Sequence, residues 1–181
     1  MNYSINKFFE KEECKSIIEF AENNGIPFSY NPTELWDCKR IYDEAFKLKI
    51  KNKFLKLYNN GDFKLWFNLN EFKINDINVS LTKYYENRWL DLHLDSTSQF
   101  TTVIVLSDDF NGGDFALSEK YININECKKY KLNIGESISF DGSKTFHGVV
   151  SVSNGIRYAL NIWMTDTKFK YYKLNEKKKL I

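Results

Sequence analysis

The chain is short of the residues that give special chemistry or special backbone. Its 181 residues include two histidines, two prolines, two methionines, three cysteines and eight glycines. Pro27 and Pro32 mark one irregular connection, and no Pro- or Gly-rich linker, low-complexity tract or internal repeat follows. Cys14, Cys38 and Cys127 are odd in number and widely spaced, with no C-x-x-C pair. That excludes a disulfide framework or a thiolate zinc site and points to a reducing compartment, the cytoplasm. Lysine plus arginine (26) nearly balances aspartate plus glutamate (24), a net charge of +2 that implies no general affinity for polyanions such as nucleic acid. Lysines cluster at Lys47, Lys49, Lys51, Lys53 and Lys56 and at Lys177 to Lys179, as on a solvated helix face and a frayed tail. No apolar run reaches the length of a signal peptide or a membrane span, so no membrane partner is expected.

Aromatic residues, in contrast, make up 17% of the chain, which suits a barrel or sandwich filled by large side chains. The length fits one domain over 1–181, with residues 1–60 mainly helical and about 63–166 forming strands. Cys14, Ile17, Ile18 and Ala21 recur at helical spacing, with Gly25 as the stop. A second helical stretch is expected from about Glu34 to Tyr58, with Trp36, Ile41, Ala45 and Phe46 inside. Asn59-Asn60-Gly61-Asp62 then reads as a turn. Strands are expected at Phe63–Phe67, Ile77–Tyr85, Thr101–Leu106, Asp114–Leu117, Ser137–Phe140, Thr145–Val152 and Ile156–Met164, separated by turn residues. Asn154-Gly155 reads as one of these turns. Many short strands at near-regular spacing predict a double-sheet jelly roll or small barrel.

Against this background the histidines stand out. His93 and Asp95 are two apart in a predicted strand, so both side chains leave the same face. The only other histidine, His147, follows in a later strand, and Arg157 ten residues beyond that. Two imidazoles and one carboxylate would leave open positions on a non-haem iron, and an arginine fork suits a carboxylate-bearing ligand. Alone, H-x-D also describes a half-buried histidine with an acidic neighbour. Parity adds a condition. If Asn154-Gly155 closed a two-residue hairpin, Val152 would pair with Arg157, which would then face away from His147. A shared pocket requires an odd loop, a bulge, or a connection crossing between two sheets.

From about Leu81 to Asp166 the chain resembles the prolyl-4-hydroxylase-type branch of the Fe(II)/2-oxoglutarate dioxygenases. The ordered series runs through His93-x-Asp95, Thr101-Thr102-Val103-Ile104-Val105-Leu106, Gly112-Gly113-Asp114-Phe115 and Asn133-Ile134-Gly135-Glu136. It continues with Ser139-Phe140, His147-Gly148-Val149 and Gly155-Ile156-Arg157-Tyr158-Ala159-Leu160-Asn161-Ile162-Trp163. The resemblance implies an α+β fold, a double-stranded β-helix (jelly-roll or cupin-like) barrel with N-terminal support helices. It implies Fe(II) held by His93, Asp95 and His147, with 2-oxoglutarate and O₂ as co-substrates, Arg157 on the far carboxylate, and ascorbate as a candidate accessory reductant. Tyr84 stands where the family places a tyrosine near the co-substrate, and of Tyr84 and Tyr85 parity allows one in the pocket. The implied reaction hydroxylates a carbon, a prolyl residue of a peptide or protein first, and releases succinate and CO₂.

The chain departs from the family in two places. Val105 stands where many relatives have a tyrosine, with Thr101 and Asn161 as candidate replacements for its hydrogen bond. Glu86-Asn87-Arg88-Trp89 replaces a glycine-rich stretch, so Arg88, Trp89 and Phe100 are candidates to shape the entrance. Trp163 reads as core packing. It occupies the position of the second arginine of nucleic-acid repair dioxygenases, which disfavours a nucleic-acid substrate. A free amino acid or other small-molecule substrate, and a non-oxidative cupin-like ligand-binding role, are the alternatives.

Overall fold

The structure, a computed structural model, describes residues 2–28, 37–59, 74–95, 98 and 100–166. The expected strand at Phe63–Phe67, Trp36, the Asn60-Gly61-Asp62 turn and Lys177 to Lys179 lie outside these. Helix α1 (Lys11–Asn24) buries Cys14, Ile17 and Ala21, as their spacing predicts. A capping box between Glu10 and Glu13 starts it, and the Gly25 N–H donates to Ala21 O at its end. Helix α2 (Glu44–Asn59) is opened by Asp43, whose Oδ1 accepts from the Phe46 N–H at 2.6 Å. Its inner face is Phe46, Ile50 and Phe54, whereas Ala45 is exposed.

Within the first sixty residues the two helices hold most of the described chain, but not all of it. Strands β1 (Tyr3–Lys7), β2 (Ile26–Pro27) and β3 (Asp37–Ile41) lie there too. The expected second helix therefore begins about ten residues late, and Ile41 is buried on a strand. The reason is tertiary. β3 pairs with β4 (Ile74–Tyr84) over Val79 to Lys83, and a buried sheet edge needs that partner more than local spacing needs a helix.

The remaining strands are β5 (Leu90–His93), β6 (Phe100–Val105), β7 (Phe110–Gly112), β8 (Phe115–Ser118), β9 (Lys128–Tyr130), β10 (Glu136–Phe140), β11 (Phe146–Val149), β12 (Val152–Gly155) and β13 (Arg157–Asp166). A seven-stranded sheet has the order β1-β10-β6-β13-β4-β3-β2, a four-stranded sheet β5-β11-β8-β9, and β7 pairs with β12 alone. All pairings are antiparallel. Leu160, Ile162 and Met164 of β13 join the helices in one core. Ala159 belongs to the other core, with Val103, Val105, Ile138, Phe140, Phe115 and Leu117 between the two larger sheets. Covered on both faces, β6 is buried at all six positions.

Asn154-Gly155 is not a hairpin turn. Both residues lie in β12, on β7, with a register irregularity between Val152 and Asn154. The chain leaves β11 in the four-stranded sheet, passes through β12, and enters the seven-stranded sheet as β13. That crossing turns both His147 and Arg157 towards the space between the sheets, as the parity condition demands.

Candidate metal centre and buried arginine

β5 and β11 pair with His93 opposite His147, bringing the two rings to a centroid separation of 4.2 Å. Asp95, two residues past His93, is pinned by its own N–H, which donates to Gly142 O at 2.8 Å. His147 Nε2 stands 3.6 Å from Asp95 Oδ2 and His93 Nε2 4.0 Å from Oδ1. One ligand atom from each of the three residues lies within 4.8 Å of the others.

The backbone sets both tautomers. His93 Nδ1 meets Asp91 O at 3.0 Å, and His147 Nδ1 meets Thr145 O at 2.9 Å. A carbonyl oxygen has no proton to give, so each Nδ1 carries the hydrogen. Each Nε2 therefore keeps its lone pair for the cluster. Burial, with the neighbouring His147 ring, lowers the pKa of His93 and so favours its neutral imidazole. Burial works to raise the Asp95 carboxyl, but the nearby His147 ring and the Thr101 hydroxyl outweigh it, and the net shift is downward. The centre thus presents two imidazole Nε2 atoms and one carboxylate.

Thr101 gives its hydroxyl to Asp95 Oδ2, and Trp163 Nε1 donates to the same oxygen at 3.1 Å. By sequence, Thr101 is expected near a co-substrate and Trp163 in core packing. The structure puts both on the candidate metal ligand. Trp163 lies six residues beyond Arg157 on β13, an even interval that puts the two on one face. That parity was the available signal.

The same face of β13 carries Arg157, Ala159, Asn161 and Trp163. Arg157 is 1% exposed, and its Nε, Nη1 and Nη2 have no hydrogen-bond partner among the described residues. Its guanidinium carbon lies 5.5 Å from the Tyr84 ring centre, and Tyr84 is opposite Arg157 in the β4–β13 register. Burial lowers the arginine's pKa, opposed by Tyr84 and Asp114. Tyr85 turns away, exposed, with its hydroxyl on Asp37 at 2.8 Å. Between arginine and cluster the interior is polar or small. Asn161 Nδ2 donates to Thr82 Oγ1 at 3.1 Å, and the Ser80 hydroxyl is buried without a partner among the described residues. A cavity of about 390 Å³ reaches Arg157 past Val105, Gly113, Phe115 and Leu132.

The entrance candidates separate. Phe100 is buried in the helix-side core, away from any entrance. Arg88 and Trp89 are exposed, and their turn is hydrogen-bonded to Val152 beyond the arginine end of β4.

No family model and no curated protein matches the sequence. Solved structures do match. An oxidoreductase of the 2OG-Fe(II) oxygenase family from Burkholderia pseudomallei superposes with a TM-score of 0.68 at 15% identity, covering 90% of this chain and 85% of that one. A prolyl hydroxylase from Trichoplax adhaerens, in complex with a peptide fragment of the oxygen degradation domain of hypoxia inducible factor, gives 0.67 at 16% identity, over 94% and 86%. The structure of OsALKBH1 gives 0.65 at 14%, over 89% and 97%. The chain has the jelly-roll fold of these oxygenase structures, with helices against its larger sheet. No helix among the described residues is long and apolar enough to cross a membrane.

Proposed function

We propose that the chain is an Fe(II)- and 2-oxoglutarate-dependent dioxygenase that hydroxylates a carbon centre, with a prolyl residue of a peptide or protein as its substrate and succinate and CO₂ as by-products. The observation that carries this reading is Arg157. A guanidinium without a partner is costly to bury, and a dicarboxylate completes it.

The residues present fit both groups. Two imidazoles and one carboxylate suit Fe(II) and leave positions open for other ligands. When bound, the iron supplies O₂ activation coupled to oxidative decarboxylation of the 2-oxo acid. His93, Asp95 and His147 would hold the metal, their Nε2 lone pairs and carboxylate already turned to one point. Arg157 would take the acid's far carboxylate through two parallel N–H bonds and so fix its orientation. Ala159 leaves room along the strand, and Thr82 and Asn161 line the same interior with polar groups. Arg157 itself is shielded from solvent, which strengthens the charge pair.

A prolyl substrate is supported by the prolyl hydroxylase seen with a bound peptide among the structures of this fold. The likeness to OsALKBH1 does not favour a nucleic-acid substrate here, because net charge is only +2 and Trp163 rather than a cation follows Arg157 by six residues. The test combines anaerobic Fe(II) and 2-oxoglutarate titration with mass spectrometry of proline-containing peptides. A gain of one oxygen dependent on both additions is expected. Absence of metal binding and of any succinate formation would refute the oxygenase, and oxidation only of free amino acids would refute the peptide substrate.

A further inference from the structure

We infer that Trp163 and Thr101 are positioning residues that hold Asp95 to one-oxygen ligation, by occupying Oδ2 and leaving Oδ1 to the metal. This rests on the metal centre proposed above. A carboxylate oxygen offers about two lone-pair sites. On Oδ2 both are taken, one by the Thr101 hydroxyl and one by the Trp163 indole N–H at 3.1 Å. Oδ1 has no such donor among the described residues.

The clamp is itself built in. Thr101 Oγ1 is 3.2 Å from Ser98 Oγ, whose hydroxyl also reaches Phe100 O at 2.8 Å, and Ser98 and Thr101 are both buried. Thr101 and Trp163 are register partners on neighbouring strands β6 and β13, so one pairing delivers both donors to one point. Gly142 closes the other side. A Cβ there would overlap Thr101 Oγ1 and stand 2.5 Å from Asp95 Oδ2, while the Gly142 carbonyl accepts from the Asp95 N–H.

The chemical consequence concerns open coordination positions. A carboxylate free to rotate can bind through both oxygens and fill a position that a co-substrate or O₂ needs. Two donors on Oδ2 oppose that rotation and spread the carboxylate's negative charge. They act through Asp95 and do not touch the reacting atoms.

The test uses the full chain, freed of metal by a chelator and titrated with Co(II), whose visible absorption reports coordination number. Wild type should bind Co(II) and His147→Ala should not, and a wild type that binds none refutes the metal centre itself. Given that centre, Trp163→Phe and the near-isosteric Thr101→Val should each weaken Co(II) about 10- to 100-fold and change the absorption spectrum. Thr101→Ser, which keeps the hydroxyl, should restore both. Circular dichroism identifies variants that fail to fold; should Trp163→Phe be one, the threonine pair decides. Affinity within about twofold of wild type, with an unchanged spectrum in folded Thr101→Val, overturns the inference.

Discussion

At the scale of the residue, Arg157 sets function against stability. Its charge is 1% exposed and unpaired among the described residues, so the protein without a ligand bears the desolvation cost. Arg157→Met keeps most of the side-chain length and removes that cost. It is expected to raise Tm by a few degrees while abolishing 2-oxoglutarate binding, measured by thermal melts and calorimetric titration; a fall in Tm would show that the guanidinium is satisfied in the free protein. Cys14 gives an independent check on the helix-side core. Its thiol is fully buried, and burial pushes its pKa up to about 11 from 9.0. Native protein should therefore resist alkylation at Cys14 at pH 8 and react only on unfolding, as mass mapping would show. The raised value means that the folded state keeps the proton longer than the unfolded one. This contribution to stability is complete below about pH 9 and is lost as pH rises through about 11. Residue identity was also where the sequence was most legible. His93, Asp95, His147 and Arg157 stand out by type and order, whereas the contacts of Thr101 and Trp163 with Asp95 depend on which carboxylate their strands approach.

The elements of this fold differ in what they contribute. β13 touches both cores and supplies Arg157, Asn161 and Trp163 on one face and Leu160, Ile162 and Met164 on the other. Leu160→Ala, at a fully buried position in its centre, should cost about 2–5 kcal/mol in urea unfolding, since neighbours on two strands cannot collapse into the gap. The turn from β10 to β11 carries Gly142 against the candidate metal carboxylate. Gly142→Ala should cost about 1–3 kcal/mol from overpacking and also weaken divalent-metal binding, read by Co(II) titration. An effect on stability alone would mean that the turn yields without moving Asp95. Helix α1 followed its sequence pattern because its buried stripe is local. β3 did not, because its partner, β4, lies across a long stretch of chain.

For the whole molecule, the proposed centre draws His93 and His147 from the four-stranded sheet and Arg157 from the seven-stranded one. Mn(II) and 2-oxoglutarate together, without O₂, should therefore stabilise the fold through binding. At about 100 times Kd the gain is roughly 2.7 kcal/mol, a rise of roughly 5–10 °C in Tm. Differential scanning fluorimetry checks this, and Arg157→Met should lose most of the shift due to the acid. The sequence by itself determined the cast of side chains, the buried stripe of α1 and the alternation that puts Arg157 and Trp163 on one face. These depend on spacings of two to seven residues, fixed by backbone geometry. Only the tertiary structure decided that β12 carries the chain between sheets, that His147 and Arg157 face one interior, and that Thr101 and Trp163 meet at Asp95. These are contacts between residues far apart in the chain. They depend on which strands pair, a choice made by burial of the whole set of apolar faces and not by any one segment.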